Sequence, residues 1–457
     1  MGITVERKYS INETNKYVEA YLKRFKNKVL YETICCVKDI YPTYVTYVRT
    51  KDKKLITRGN GKGIKEQSKL SSIFESIEHS FYEPYFFQNF VKLKNMKFLK
   101  YKELLKYMEK DFIGNPLYEN MREIENIKKL PCQKYVSLNS NKQIYLPVFM
   151  YGPSYPYPAL NAAEAIFINS VYKNNNKLIA KMIKHDNLKN YEKLNNTMKY
   201  CSSVGSAAGI DLVETLLHAL NEVIERDTTS EFLLSAIIYK NYKKYSIIDK
   251  DTLDESNKSI ISFVEEKYGL DLVIVNITGI IGIPTVMVYE KNNKYGNETL
   301  YTGYGTSTNI LYAIERALLE YKQTIDLVLY DKTLPKDDNY LKELEKNNVN
   351  SFFKELYYFD YKKLEVLKTE TLSTLSEKYA EFTELIDQKA MLNTILKNLS
   401  KNGFEVYNTI RRLRVKRNKY IYYTKVVVPQ MCDITDPGPL RMPNRQMLIR
   451  VKGEIKC

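Results

Sequence analysis

Three segments of this chain repeat one polar stripe inside an otherwise apolar helix. They are Ser71-x3-Glu75-x2-Glu78, Glu214-x3-His218-x3-Glu222-x2-Glu225-Arg226 and Arg316-x3-Glu320-x2-Gln323. Successive helical residues turn by about 100°, so spacings of four and three return to one narrow face. In the second segment, Leu212, Val213, Leu216, Leu217, Ala219, Leu220, Val223 and Ile224 frame that edge with core. A lone stripe of this kind reads as the solvated side of an amphipathic helix. Three with matching spacing point to a shared site.

Electrostatics sharpens the point. Two carboxylates about 6 Å apart repel by roughly 3 kcal/mol at an effective dielectric near 20. Stacking Glu214, Glu222 and Glu225 against Glu75 and Glu78 would strain a domain stabilised by only about 5–15 kcal/mol. Protonation, pairing with Arg226 and Arg316, or a bound divalent cation would relieve it. Oxygen ligands select hard cations, and Mg²⁺ completes a shell of few carboxylates with water and substrate phosphates.

A chain of 457 residues exceeds the usual single core, so two lobes or one elaborated domain are expected. Its 70 basic and 54 acidic residues give a net charge of +16, a field that favours anionic partners, nucleotides included. The lysines are spread along the chain and no nucleic-acid-binding motif accompanies them, so no nucleic-acid partner is expected. The six cysteines show neither CxxC nor metal spacing, which argues against zinc and a disulfide framework and fits a reducing cytosol. The N-terminal stretch lacks an apolar signal region. The apolar run from Leu272 to Tyr289 is broken by Gly279, Gly282 and Pro284, so it reads as two buried strands and no membrane span. A cytoplasmic location is the expectation.

Helical periodicity marks residues 12–27, capped at Ser10, and a strand is expected over 44–50. Arg58-Gly59-Asn60-Gly61-Lys62-Gly63 leads into the first striped helix, about 66–80. Residues 95–130 read as helical, Tyr135–Leu138 and Gln143–Phe149 as a hairpin, and Pro153–Pro158 as a loop. Ser202–Gly209 and Gly303–Ser307 are also read as small-residue loops, each opening onto a striped helix whose first N–H groups could receive phosphate. Strands are expected at 272–277, 284–289 and 426–429. Residues 330–400 read as a helical embellishment, and a strand-like segment follows the turn Asp436–Pro439. Of the three histidines, His79 and His218 fall on striped helices; a lone helical histidine is more often structural than catalytic.

These motifs, in this order, resemble the YcaO family, whose members bind ATP and activate peptide-backbone amides. The resemblance spans roughly Leu55 to Pro429 with gaps. It rests on Gly61-Lys62-Gly63 with Ser71, Glu75 and Glu78; on Glu214, His218, Glu222, Glu225 and Arg226; and on Arg316, Glu320 and Gln323. Asn276–Pro284 is similar to the family's strand–Gly-Ile-Pro–strand segment. The resemblance implies an α+β fold of mixed sheets flanked by helices, with an ATP and Mg²⁺ site between three of them. It also implies residues 1–54 as a segment contributing to the nucleotide site and 55–457 as the catalytic domain, embellished near 95–130 and 330–400.

Carried over by position, Glu75, Glu78, Glu222 and Glu225 would hold Mg²⁺ or orient its ligands. Ser71, Lys62, Arg226 and, upstream, Arg7 and Thr14 would meet the nucleotide phosphates. Glu214, His218 and Gln323 complete the pocket, and Glu225, Arg316 and Glu320 carry the catalytic role. The activity implied is that of the azoline-forming cyclodehydratases of thiazole/oxazole-modified microcin biosynthesis, which close Cys, Ser or Thr of a precursor peptide into thiazoline or oxazoline. A separate E1-like leader-binding protein and a homodimer are the partners implied. Three departures stand out: His79 replaces an Arg, Ile210 stands where an amide side chain is usual, and the sequence ends Val451-Lys-Gly-Glu-Ile-Lys-Cys457 in place of a Pro-x-Pro-x-Pro tail. The last keeps open thioamide or amidine formation with an external nucleophile. A non-catalytic nucleotide-binding scaffold is the reading from another class.

Overall fold

The computed structural model describes residues 6–81, 96–123, 129–147, 202–295, 301–330, 361–383, 387–435 and 443–455. The loop expected at Pro153–Pro158 and the turn at Asp436–Pro439 lie outside them. The fold is α+β, with three sheets among the described residues.

Helix α1 (Ile11–Phe25) starts at a capping box, in which Ser10 accepts from the Glu13 N–H and Glu13 reaches back to Ser10. Strands β1 (Leu30–Val37), β2 (Thr43–Arg49) and β3 (Leu55–Gly61) form an antiparallel meander covered by α2 (Glu66–Ser80). The division expected between residues 54 and 55 falls in the turn joining β2 to β3. Strand β4 (Met96–Lys100), helices α3 (Tyr101–Phe112) and α4 (Pro116–Arg122), and the hairpin β5 (Lys129–Ser137) and β6 (Gln143–Pro147) follow. Residues 95–130 are therefore not purely helical: β4 pairs with β5, a long-range contact that local periodicity does not report.

Strand β7 (Ser206–Gly209) precedes α5 (Leu212–Phe232), which Asp211 caps by accepting from the N–H groups of Val213 and Glu214. Then come β8 (Ser246–Ile248), α6 (Glu255–Tyr268), β9 (Leu272–Asn276), β10 (Thr285–Glu290), β11 (Thr302–Thr306) and α7 (Ile310–Tyr330). Beyond them lie β12 (Lys368–Glu370), α8 (Leu372–Lys378), α9 (Ala380–Thr383), α10 (Gln388–Lys401), the hairpin β13 (Tyr407–Lys416) and β14 (Lys419–Val427), and α11 (Arg445–Ile455). The second sheet has the order β11-β10-β9-β8-β12, and the third β4-β5-β13-β14-β7 with β6 beside β5. Strand β10 is buried along its whole length, as its unbroken apolar run requires.

Three expectations are corrected. In the segments 202–209 and 303–307, residues 206–209 form strand β7 and residues 303–306 belong to β11. Gly303 and Gly305 of β11, like Gly59 and Gly61 of β3, are spaced by two and so share one face, where a helix backbone lies directly against them. A Cβ on Gly305 would fall 2.1 Å from the Ala313 carbonyl oxygen on α7, and one on Gly61 would fall 1.9 Å from the Ser68 oxygen on α2. Ser68, Ser72, Ser76 and Ser80, all buried at every fourth position of α2, keep the facing helix surface equally small. The C-terminal strand-like segment is helix α11, because Met447 and Val451, four apart, bury one face under an Asn444 cap. The region 330–400 supplies β12, parallel to β8, so it is part of a sheet as well as helical decoration. Gly305→Ala should cost about 1–3 kcal/mol of unfolding free energy in urea denaturation, the usual penalty of overpacking.

Candidate active site

The three striped helices turn their polar edges into one cleft of about 510 Å³. Helix α2 contributes Ser71, Glu75, Glu78 and His79; α5 contributes Glu214, His218, Glu222, Glu225 and Arg226; α7 contributes Arg316, Glu320 and Gln323. Lys62 enters from the turn after β3, Arg7 from the segment before α1 and Thr14 from α1 itself. All fourteen residues given a site role from the sequence, and His79 with them, therefore line the same space. The close helix-on-strand packing at Gly61 and Gly305 brings α2 and α7 near enough for this.

Among the described residues the lining holds eight carboxylates and four cationic side chains, so acidic groups outnumber basic ones. Burial pushes Glu222 up to about 7, with Glu225 adding to the rise and Arg226 and the Gly205 N–H (3.1 Å) opposing it. Burial also raises Glu225, with the neighbouring Glu320 adding to it, and raises Glu75 and Glu214. Glu320 goes the other way: burial opposes ionisation, but the ion pair with Lys62 and the fields of Arg226 and Arg316 hold its carboxyl low. His218 is exposed to the cleft, among charged neighbours. Desolvation, then Arg316, Lys62 and Arg7, push its imidazole down to about 3, so it is neutral at ordinary pH. His79 engages the Arg58 carbonyl oxygen through Nδ1 at 2.7 Å, which suits a structural part.

Residues outside the stripes complete the wall. Glu6 is buried, with its carboxylate accepting from the Ser307 hydroxyl and from Asn221 Nδ2 at 3.4 Å. Lys8 ties the same segment to α5, its N–H donating to Glu214 Oε2 at 3.4 Å and its amine to Asp211 Oδ2 at 2.9 Å. Tyr312 and Glu315 line the cleft from α7. Glu6 lacks a spacing signal, because its place depends on Ser307, 301 positions away.

Two observations bear on what the cleft can hold. Among the described residues Arg226 Nε, Arg316 Nε and Gln323 Nε2 are buried donors without a hydrogen-bond partner, a set suited to phosphate oxygens. Among the described residues no three His, Cys, Asp or Glu side chains converge closely enough to form a metal cage by themselves. A Mg²⁺ ion held there would therefore draw part of its shell from phosphates and water.

The sequence of residues 181–432 matches the family model described as YcaO cyclodehydratase, ATP- and Mg²⁺-binding. The chain belongs to the YcaO family. ATP and Mg²⁺ are accordingly its cofactors, and the cleft's donors and carboxylates fit both. Among solved structures, this YcaO chain is similar to YcaO from Methanopyrus kandleri bound with AMPPCP and Mg²⁺, at 14% identity and a TM-score of 0.60, covering 97% of this chain and 98% of that one. It is also similar to a heterocyclase in complex with substrate and cofactor, at 16% identity and a TM-score of 0.59, covering 94% of this chain and 53% of that one. The chain thus spans about half the length of that heterocyclase. The E. coli microcin synthetase McbBCD complex with pro-MccB17 bound matches at 15% identity and a TM-score of 0.52, over 88% of this chain and 91% of that one. No curated protein matches the sequence. Among the described residues, no helix is long and apolar enough to cross a membrane.

The pH dependence of metal-free stability follows from Glu222. Its folded pKa lies above the ordinary value of 4.5, so its contribution is full below about 4.5 and is lost as pH rises through about 7. In EDTA, the wild-type Tm should therefore fall between about pH 5 and 8, and Glu222→Gln should flatten that fall, as read by circular dichroism melts.

Proposed function

We propose that this YcaO protein uses ATP to activate backbone amides of a ribosomally made precursor peptide, cyclodehydrating Cys, Ser or Thr to thiazoline or oxazoline. The observation that carries the proposal is the convergence of all three polar stripes on one cleft whose buried guanidinium donors are left open. The peptide's own thiol or hydroxyl gives up its proton and adds to the preceding carbonyl carbon, and the resulting oxyanion attacks the γ-phosphorus with ADP as the leaving group. Phosphate then departs with the original oxygen as the amide nitrogen loses its proton, leaving the C=N bond of the azoline. Phosphorylation is the step that turns an amide oxygen into a good leaving group.

In this scheme Lys62, Ser71, Arg226, Arg7 and Thr14 hold the phosphates, while Glu214, His218 and Gln323 close the nucleotide pocket. Arg316 lies beside the charge that develops on the transferring group, and Glu225 and Glu320 orient it. Glu75, Glu78, Glu222 and Glu225 would hold Mg²⁺, which when bound neutralises charge spreading over the phosphoryl oxygens. The neutral imidazole of His218 donates or accepts a hydrogen bond there without adding charge. The neighbour solved with pro-MccB17 supports a peptide substrate and partner proteins. For this chain those partners are a leader-binding protein of E1-like type and a second copy of itself.

Mass spectrometry of a co-expressed precursor peptide tests the reading. Azoline formation removes roughly 18 Da per site, whereas exchange of oxygen for sulfur adds roughly 16 Da and would move the assignment to thioamide chemistry. ATP binding without peptide-stimulated turnover would instead make the protein a nucleotide-binding scaffold.

A further inference from the structure

Arg226 stands on α5 one residue after Glu225 and four after Glu222, within easy reach of both carboxylates. Among the described residues it hydrogen-bonds neither. Its Nη1 donates instead to Thr435 Oγ1 at 3.3 Å, and Thr435 Oγ1 in turn donates to Asp433 Oδ1 at 2.7 Å. The segment carrying these residues is stitched along α5. The Cys432 N–H donates to Asp227 Oδ1 at 2.8 Å and the Ile434 N–H to Ser230 Oγ at 3.0 Å. Asp227, itself fully buried, also accepts two parallel bonds from Arg450 of α11, both at 2.8 Å. Asn444 closes the other end, with Nδ2 donating to the Met431 carbonyl at 2.9 Å.

A long guanidinium side chain beside paired carboxylates collapses onto them unless another acceptor holds it. Such a collapse would use up the oxygens a metal needs and the N–H groups a phosphate needs. We propose that Asp433 and Thr435 are positioning residues of the nucleotide site, holding Arg226 off Glu222 and Glu225, and that the Asp227–Arg450 pair fixes the segment that carries them. This rests on the nucleotide reading of the cleft given above. Arg226 Nε, buried and without a partner among the described residues, remains for the bound anion.

The test is calorimetric titration of a non-hydrolysable ATP analogue at several Mg²⁺ concentrations, with melts run in parallel. Asp433→Asn is expected to raise the Mg²⁺ concentration needed for half-maximal analogue binding roughly tenfold, and Thr435→Val roughly threefold, each with Tm within a few degrees of wild type. Asp433→Glu, which keeps the charge, should recover most of the loss. Folded Asp433→Asn and Thr435→Val proteins with the wild-type Mg²⁺ requirement overturn the inference while leaving the nucleotide reading intact. So does a loss that tracks Tm and is equal in Asp433→Glu. If Asp433→Asn does not fold, Thr435→Val decides. Wild-type protein that binds no analogue at any Mg²⁺ concentration overturns the nucleotide reading, and this inference falls with it.

Discussion

Arg316→Ala is expected to lower peptide-dependent ATP hydrolysis by a factor on the order of 10² to 10³ or more, with the fold retained. Burial disfavours the Arg316 charge, yet Tyr312, Glu225, Glu6 and Glu320 together hold the guanidinium protonated more firmly than usual. Its Nε has no hydrogen-bond partner among the described residues. A cation kept charged by carboxylates, with a donor unspent, is arranged for an anion that arrives from outside. Glu225→Ala should reduce turnover comparably, because it removes a carboxylate buried between Arg226 and Arg316. Phosphate release assayed with and without precursor peptide measures both, and near-UV circular dichroism separates loss of chemistry from loss of fold. Undiminished turnover in the two variants would withdraw their catalytic assignment.

Asp326→Ala should destabilise the protein by about 3–5 kcal/mol in chemical denaturation, the usual cost of stripping one partner from a buried ion pair. Asp326 and Lys322 are almost fully buried and pair at 2.5 Å near the end of α7. The same carboxylate accepts from the hydroxyls of Thr43, where β2 begins, and of Tyr268, where α6 ends. Lys322 also reaches Asp39 at 3.0 Å, in the turn between β1 and β2. This network fastens the first sheet to α7 and so sets the distance between α2 and α7 across the cleft. Lys322→Met with Asp326→Leu should recover much of the stability, since an apolar pair leaves no orphaned charge. A loss under 1 kcal/mol for Asp326→Ala would show that the network contributes little.

The helices that carry the cleft were legible because their apolar and polar residues follow one period: α2 runs Glu66–Ser80, against an expected span of about 66–80. The buried strands β9 and β10 were legible for a similar reason, as unbroken apolar runs parted by Gly279, Gly282 and Pro284. Elements fixed by distant partners were not. Residues 202–209 and 303–307 read as loops because glycine and serine lower strand propensity. In the fold Gly303 and Gly305 allow α7 to lie directly on β11, while Ser206–Gly209 become a strand by pairing with β14. Strands β4 and β12 owe their existence to pairing with β5 and β8, which no local pattern records. Within the cleft, charge spacing revealed Glu222 and Glu225, but not Glu6, Glu315 or the Asp433–Thr435 contact. Glu6 depends on Ser307 and the Asp433–Thr435 pair on its contact with Arg226, both across the chain, while Glu315 lies one residue before Arg316, off the spacing of the stripe.

The central claim is that buried carboxylates and guanidinium groups from three helices together receive a metal–nucleotide complex. Soaking crystals with a non-hydrolysable ATP analogue and Mn²⁺, and collecting anomalous data, tests it most directly. The account predicts a Mn²⁺ peak within coordination distance of carboxylates from both α2 and α5, with the triphosphate against Lys62, Arg226 and Arg316. Analogue and metal bound elsewhere, with Glu75, Glu78, Glu222 and Glu225 all uncoordinated, would contradict it.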